Sequence, residues 1–458
     1  MTAISLPESP LLVPPAPQPP AKDPNWFSVL AACRTDGLRV WPRRAYEEDV
    51  HARSIMGRRT FLLNDPHLIR QVLVDNDANY GRAPAGIRIL RPLMGDGLLL
   101  SRGEQWRHQR QMLAPTFTPR NLPMLSRHIA LTCQEGIERL HATEGVDLLD
   151  FLQQIALEIA GRSMFSMEMR KFAPELRDLI RRYNRRLGRP HLTDQILPVR
   201  VKNWWDVGRF WFARQWVDLM ERLIEERRKT GRAGAPRDLF DLMDDVADPE
   251  SGVGFTAREL RDQVATMIMA GHETTALALF WACYLLVLDR ESQERVAAEA
   301  RSIDLEPASA HEALSRLTFT RAVVQEALRL YPPAYVIVRQ AIGPDELAGH
   351  PVPPGSIAYV APWVLHRHRR LWRDPDVFDP RRFLPDAVQP DRFAYLPFGT
   401  GPRSCIGMQL ALAEAVLVLA HLFRRFRVSI PAGEKPVMPA AVVTTQPDRA
   451  PLFLLSRR

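Results

Sequence analysis

The chain has 458 residues, of which 46% are hydrophobic and 25% charged. That is ordinary globular composition with length for a large core, and it excludes a disordered, fibrous or small disulfide-stapled protein. Formal net charge is +8 and 56 of the 61 basic residues are arginine, but no basic block is interleaved with aromatics, so nucleic acid is not the expected partner.

The first 24 residues carry P-E-S-P, V-P-P-A-P-Q-P-P and D-P, which no packed helix tolerates. They read as an extended or disordered lead-in to one domain over residues 25–458. Neither a signal peptide nor an apolar run of about 18–20 residues is visible, so no transmembrane anchor is expected. Cys33, Cys133, Cys283 and Cys405 are far apart and form no C-x-x-C pair, which argues against disulfides or a zinc cage and fits a cytoplasmic protein.

Leu38 to Trp41 and Arg59 to Leu63 have strand character, and Asp65-Pro66 opens a short helix. Pro84 to Leu100 is rich in Gly and Pro and reads as a long loop. Trp106 and Arg110 then share a helical face as an i, i+4 pair. From Asn121 to Arg228 the pattern is a succession of amphipathic helices. Trp204, Trp205, Phe210, Trp211, Phe212 and Trp216 crowd together there, as either a core-facing stripe or an apolar lip for a greasy substrate.

Thr256-Ala-Arg-Glu259 is a capping box, and the helix that it starts runs about 33 residues, roughly 50 Å. Ala270-Gly271-His272-Glu273-Thr274-Thr275 stands in its middle. A mid-helix Gly costs ~1 kcal/mol against Ala, and close approach of a flat group would explain it. A zinc motif H-E-x-x-H beginning at His272 fails, because residue 276 is Ala. A further helix from about Thr320 to Leu330 is stopped by two prolines and carries Glu326 and Arg329 on one face. Tyr335 to Arg339, Ile357 to Val360, Arg427 to Ile430 and Val442 to Thr445 suggest a minor antiparallel sheet.

The stretch F-G-T-G-P-R-S-C-I-G, Phe398 to Gly407, precedes a long apolar helix. It sets Cys405 near a helix N-terminus with Arg403 two residues away, and both would favour a thiolate. Phe398, Gly401, Arg403, Cys405 and Gly407 resemble the cysteine-loop signature F-x-x-G-x-R-x-C-x-G of the cytochrome P450 family, the haem-thiolate monooxygenases. The resemblance implies that Cys405 ligates the iron of haem b and that its thiolate favours O–O cleavage. Ala270, Gly271, Glu273 and Thr274 resemble the oxygen-activation motif: Thr274 would hydrogen-bond the oxygen being activated, and Glu273 would feed a proton relay.

Trp106 and Arg110 resemble the haem-flanking W-x-x-x-R, with Arg339 and Arg403 as further propionate contacts. Glu326 and Arg329 resemble E-x-x-R, completed by Arg382 from a segment in which Arg381 replaces the usual acidic residue. Met267, Val336, Ile337 and Thr445 match positions that touch substrate. The resemblance covers nearly everything after the lead-in and implies a soluble, bacterial-like member. Its fold would be mainly α with a minor antiparallel β portion, haem lying between the long central helix and the cysteine loop with the helix after it. The implied reaction inserts one atom of O2 into a hydrophobic small molecule such as a fatty acid or terpenoid. No flavin or nicotinamide fingerprint is present, so electrons would come from an acidic ferredoxin or flavodoxin served by an NAD(P)H reductase. A peroxide-dependent haem-thiolate enzyme and a non-catalytic haem sensor are the alternatives, and neither needs the Glu273-Thr274 relay.

Overall fold

A computed structural model describes residues 12–55, 57–140, 145–197, 200–231, 234, 236–246 and 252–458. The first eleven residues of the proline-rich lead-in lie outside it. The fold is organised on the central helix Ala257–Leu288, capped by Thr256, whose side chain accepts from the Glu259 N–H while the Glu259 side chain reaches back. It packs on helices Leu148–Phe165, Thr318–Leu330 and Met408–Arg425. By length and composition it could cross a membrane, but 72% of its apolar window is buried, which makes it the core helix.

Two apolar clusters grip this helix at opposite ends. One involves Leu260 to Met269 and the overlying helices; the other resumes at Ala278 and runs through Leu286 into the lower half. Ala270 and Gly271, in the gap, are exposed on a helix that is otherwise mostly buried. They open onto an internal cavity of about 920 Å³.

A five-stranded sheet flanks the cavity in the order Val50–Ile55, Arg58–Leu63, Ile357–Val360, Ile337–Ala341, Tyr80–Arg82. It is antiparallel except between Arg58–Leu63 and Ile357–Val360, which run parallel. In its last pair Arg82 is the register partner of Arg339.

Several local expectations are corrected. Leu38 to Trp41 is not a strand: Gly37–Val40 forms a 3-10 turn capped by Asp36. Most of Pro84 to Leu100 is not loop but helix Pro84–Met94. Pro84 suits its first position, Pro92 falls in its last turns, and burial of Ile87, Ile89, Leu93 and Met94 outweighs the backbone bond lost at Pro92. Residues 442–444 are the tip of a hairpin between strands Pro439–Ala441 and Thr445–Pro447, where a strand was expected. From residue 12 the lead-in is extended yet docked: Leu12 O accepts from Phe378 N at 2.9 Å, and Pro15 O from the Tyr331 hydroxyl at 2.7 Å.

Candidate active site

Cys405 is exposed, but only to the cavity; it lies deep in the protein. Its backbone N–H donates to Phe398 O at 2.9 Å, which closes the loop on itself. Gly401 is required by the backbone: φ is +70°, and a Cβ there would stand 2.1 Å from Leu73 O. Gly271 and Gly407 differ. A Cβ at Gly271 would meet nothing within 4 Å, and at Gly407 only the Phe117 ring at 4.0 Å. Both face empty space across the cavity, and this is the room a flat group needs.

Burial pushes the Cys405 thiol above its ordinary value, opposed first by a hydrogen bond from the Gly407 N–H and then by the Arg110 guanidinium. The cation beside the sulfur is therefore Arg110, not Arg403 as the sequence suggested. Arg110 donates to Ser404 O at 3.1 Å, whereas Arg403 stacks 3.9 Å over the Trp106 ring and donates to Ser101 O at 2.9 Å. Intervening turns aim the two arginines differently, which spacing along the chain does not report.

Arg82, Arg339 and Arg403 converge on one side of the cavity, and among the described residues none forms a salt bridge. Burial first, then Arg339, Arg403 and Arg102, push the Arg82 guanidinium down to about 9. Burial and Arg339 push Arg403 down to about 10, with partial relief from Asp77. Like charges directly opposed across strands are destabilising, and Arg82 Nε is buried without a hydrogen-bond partner. Such a cluster fits an anion with at least two charges. Arg82 escaped the sequence analysis because only strand pairing sets it against Arg339.

On the opposite wall, the Thr274 hydroxyl donates to Ala270 O at 2.5 Å. Glu273 Oε1 accepts from Thr444 Oγ1 at 3.1 Å and Gln446 Nε2 at 3.0 Å, so the hairpin tip holds this carboxylate. Neither Thr444 nor Gln446 was singled out from sequence. His272 is buried with Nδ1 3.0 Å from Ile268 O, and among the described residues no three His, Cys, Asp or Glu side chains gather to bind a metal.

Met267, Val336, Ile337 and Phe398 line the cavity, but Thr445 does not. Its side chain is fully buried and donates to Pro332 O at 2.7 Å; Val443 and Thr444, at the turn, face the cavity instead.

Behind the loop, Arg329 and Glu326 are completely buried and joined at 2.7 and 2.8 Å. Arg329 also donates to the carbonyls of His366, Pro375 and Val377. Arg382 approaches Glu326 only to 3.6 Å and donates to Asp374 O. Arg381, the departure from the family pattern, pairs with Asp379 on the surface. His366 connects this cluster to the cysteine loop: Nδ1 lies 3.2 Å from Arg329 O, and Nε2 accepts from Leu396 N at 2.8 Å.

Burial, then the Arg329 charge, push His366 down to about 3. The folded state thus holds it neutral, while the unfolded chain binds a proton near its ordinary value of about 6.5. Its contribution to stability is complete above that value and is lost progressively as pH falls from there toward 3. Thermal midpoints should accordingly decline from pH 7 to 5 and decline less in His366→Gln, which cannot titrate; equal slopes would remove His366 from the acid response.

Residues 17–452 match the profile described as Cytochrome P450. "Cyclooctat-9-en-7-ol 5-monooxygenase" of Streptomyces melanosporofaciens is 33% identical over 81% of this chain and 80% of its own. Human "Cytochrome P450 4F2" is 30% identical over 90% and 85%. The crystal structure of the "cytochrome P450DA heme domain" superposes with a TM-score of 0.81 at 25% identity, covering 98% of both chains. The chain belongs to the cytochrome P450 family. It is an oxygenating oxidoreductase whose cofactor is haem b, and the family draws on redox partners and hydrophobic substrates. Relatives come from bacteria, plants and humans, so similarity does not single out a soluble bacterial type. The open faces at Gly271 and Gly407, the cavity-facing thiol and the unpaired arginines fit such a cofactor.

Proposed function

We propose that this enzyme inserts one atom of O2 into a terpenoid, fatty acid or similar hydrophobe, with two electrons from a ferredoxin or flavodoxin served by a separate NAD(P)H reductase. The observation that carries the reading is a thiol facing, across one largely apolar cavity, a helix turn that bears an alcohol and an acid. The similarity to an enzyme named for an alkenol substrate favours an oxygenated terpenoid-like hydrocarbon. The free cysteines and core-buried central helix support a cytoplasmic location.

Cys405 would ligate the iron. Trp106, Arg110, Arg339 and Arg403, together with Arg82, would hold the propionates, and Phe398, Gly407, Ala270 and Gly271 would leave room for the ring. Haem, when bound, supplies the redox centre at which oxygen is reduced and cleaved. Met267, Val336 and Ile337 orient the substrate and exclude water, which keeps protons on a controlled route. Glu273, on release from Thr444 and Gln446, takes up a proton from water and delivers it toward Thr274 Oγ1. Thr274 gives up its bond to Ala270 O and passes that proton into the dry pocket, accepting and donating through one oxygen.

Removing this alcohol should separate electron uptake from product. In Thr274→Ala, NAD(P)H oxidation with surrogate partners continues while product per NAD(P)H falls by about tenfold or more. An unchanged yield would take the relay away from Thr274.

A further inference from the structure

Helix Met408–Arg425 carries an acid that the chain leaves without a partner. Glu414 stands nine residues after Cys405, is only 6% exposed and lines the same cavity as the thiol. Its Oε1 is sealed from water with no hydrogen bond, and no cation among the described residues offsets its burial. An unpaired carboxylate is costly to bury, and glutamine would fill the same space without that cost. The acid therefore calls for a use.

The elements packed on this helix bring no counter-charge. From helix Leu122–Glu138 comes the buried Cys133 thiol, which burial and then Glu414 push up. Cys283 of the central helix is raised by burial alone, and helix Arg290–Arg301 buries no titratable side chain. On helix Thr318–Leu330, Glu326 and Arg329 are paired with each other, and Arg321 donates to Leu314 O. His421, at i+7 on the same helix, is pushed down to about 4 by burial and then Arg424, so it is uncharged at neutral pH. Burial alone accordingly pushes the Glu414 carboxyl well above the usual carboxylate range.

Water is close by. A surface pocket of about 380 Å³ is lined by Leu412 and Ala413, the two residues before Glu414, and by the exposed His311 and Glu312. Leu412 also lines the inner cavity. One turn of helix thus separates the cavity from solvent beside the acid, which gives protons a short route to it.

We propose that Glu414 is a redox-linked proton site, taking up a proton when the cofactor held in this cavity takes up an electron. In the balanced step iron(III) gains one electron from the external donor and becomes iron(II). Glu414, as carboxylate, gains one proton from water and forms one O–H bond. No other bond changes, and the net charge of the site is preserved. The physical reason is the low dielectric of an apolar cavity, where an anion near the thiolate opposes an incoming negative charge far more than it would in water. As pH rises, more of the oxidised protein holds Glu414 ionised, so reduction becomes less favourable. The proposal requires bound haem but does not rest on the oxygenase reading.

The test is a spectroelectrochemical titration of the full-length, haem-loaded protein without substrate, from about pH 6 to about pH 9. The reduction equilibrium constant should fall by up to about tenfold per pH unit over part of this range, about 59 mV for one electron. A pH-indicator dye should record uptake of as much as one proton per iron reduced. Glu414→Gln keeps the shape without the exchangeable proton and should give a flat profile. Glu414→Asp should keep a slope, and Cys133→Ser should leave the wild-type profile unchanged. Circular dichroism and the carbon monoxide spectrum report whether each variant is folded and haem-loaded. A flat wild-type profile without proton uptake overturns the proposal whether or not any variant folds. So does a slope that persists in folded, haem-loaded Glu414→Gln, for the proton then binds elsewhere.

Discussion

Replacing Cys405 by Ser abolishes the carbon monoxide band from which the family takes its name and reduces product formation to background. Serine has nearly the same shape and keeps the backbone bond from residue 405 to Phe398 O, so the loop survives. What is lost is an anionic sulfur. Of the two cysteines that line the cavity, Cys33 and Cys405, only Cys405 has opposing help, from the Gly407 N–H and Arg110, against its burial. Burial pushes Cys33 up to about 11, and Cys133 and Cys283 are also raised with no cationic neighbour to offset it. Serine at those three positions should leave the band in place. A reduced, haem-loaded Cys405→Ser protein that retained it would disprove the ligand assignment.

Arg329→Ala should cost about 3–5 kcal/mol, a large share of the roughly 5–15 kcal/mol by which a folded protein is stable. The reason is geometric. Truncation leaves the fully buried Glu326 with only the Asp379 N–H at 2.8 Å and the more distant Arg382, and it strips three carbonyls of their donor. The His366 bridge transmits the loss to Leu396, next to the cysteine loop, so haem retention should fall along with the thermal midpoint. Arg329→Lys keeps the charge but not the fork of bonds and should fall between the two. A purified Arg329→Ala protein with an unchanged midpoint and haem content would show that the cluster is dispensable.

The two predictions draw on different kinds of information. The spacing of Phe398, Gly401, Arg403, Cys405 and Gly407, the alcohol and acid at Thr274 and Glu273, and the pairing of Glu326 with Arg329 are local. They sit within a few residues of one another on a loop or helix, where backbone geometry repeats from protein to protein. The central helix was legible for the same reason, through its capping box and the absence of an internal proline. Helix Pro84–Met94 was not legible, since its prolines favour a loop and only the core beneath it makes a helix the better outcome.

The sequence by itself therefore determined the family, the thiol that would hold the iron and the helix turn opposite it, because each depends on side chains fixed by neighbours in the chain. The tertiary structure decided which cation stands by the sulfur, that Arg82 joins Arg339 across a sheet, that Thr444 rather than Thr445 reaches the cavity, and which aromatic residues at 204–216 face outward. Those outcomes depend on contacts between segments as many as 300 residues apart, such as Arg403 with Ser101. Only packing sets the direction of such side chains, and no periodicity along the chain encodes it.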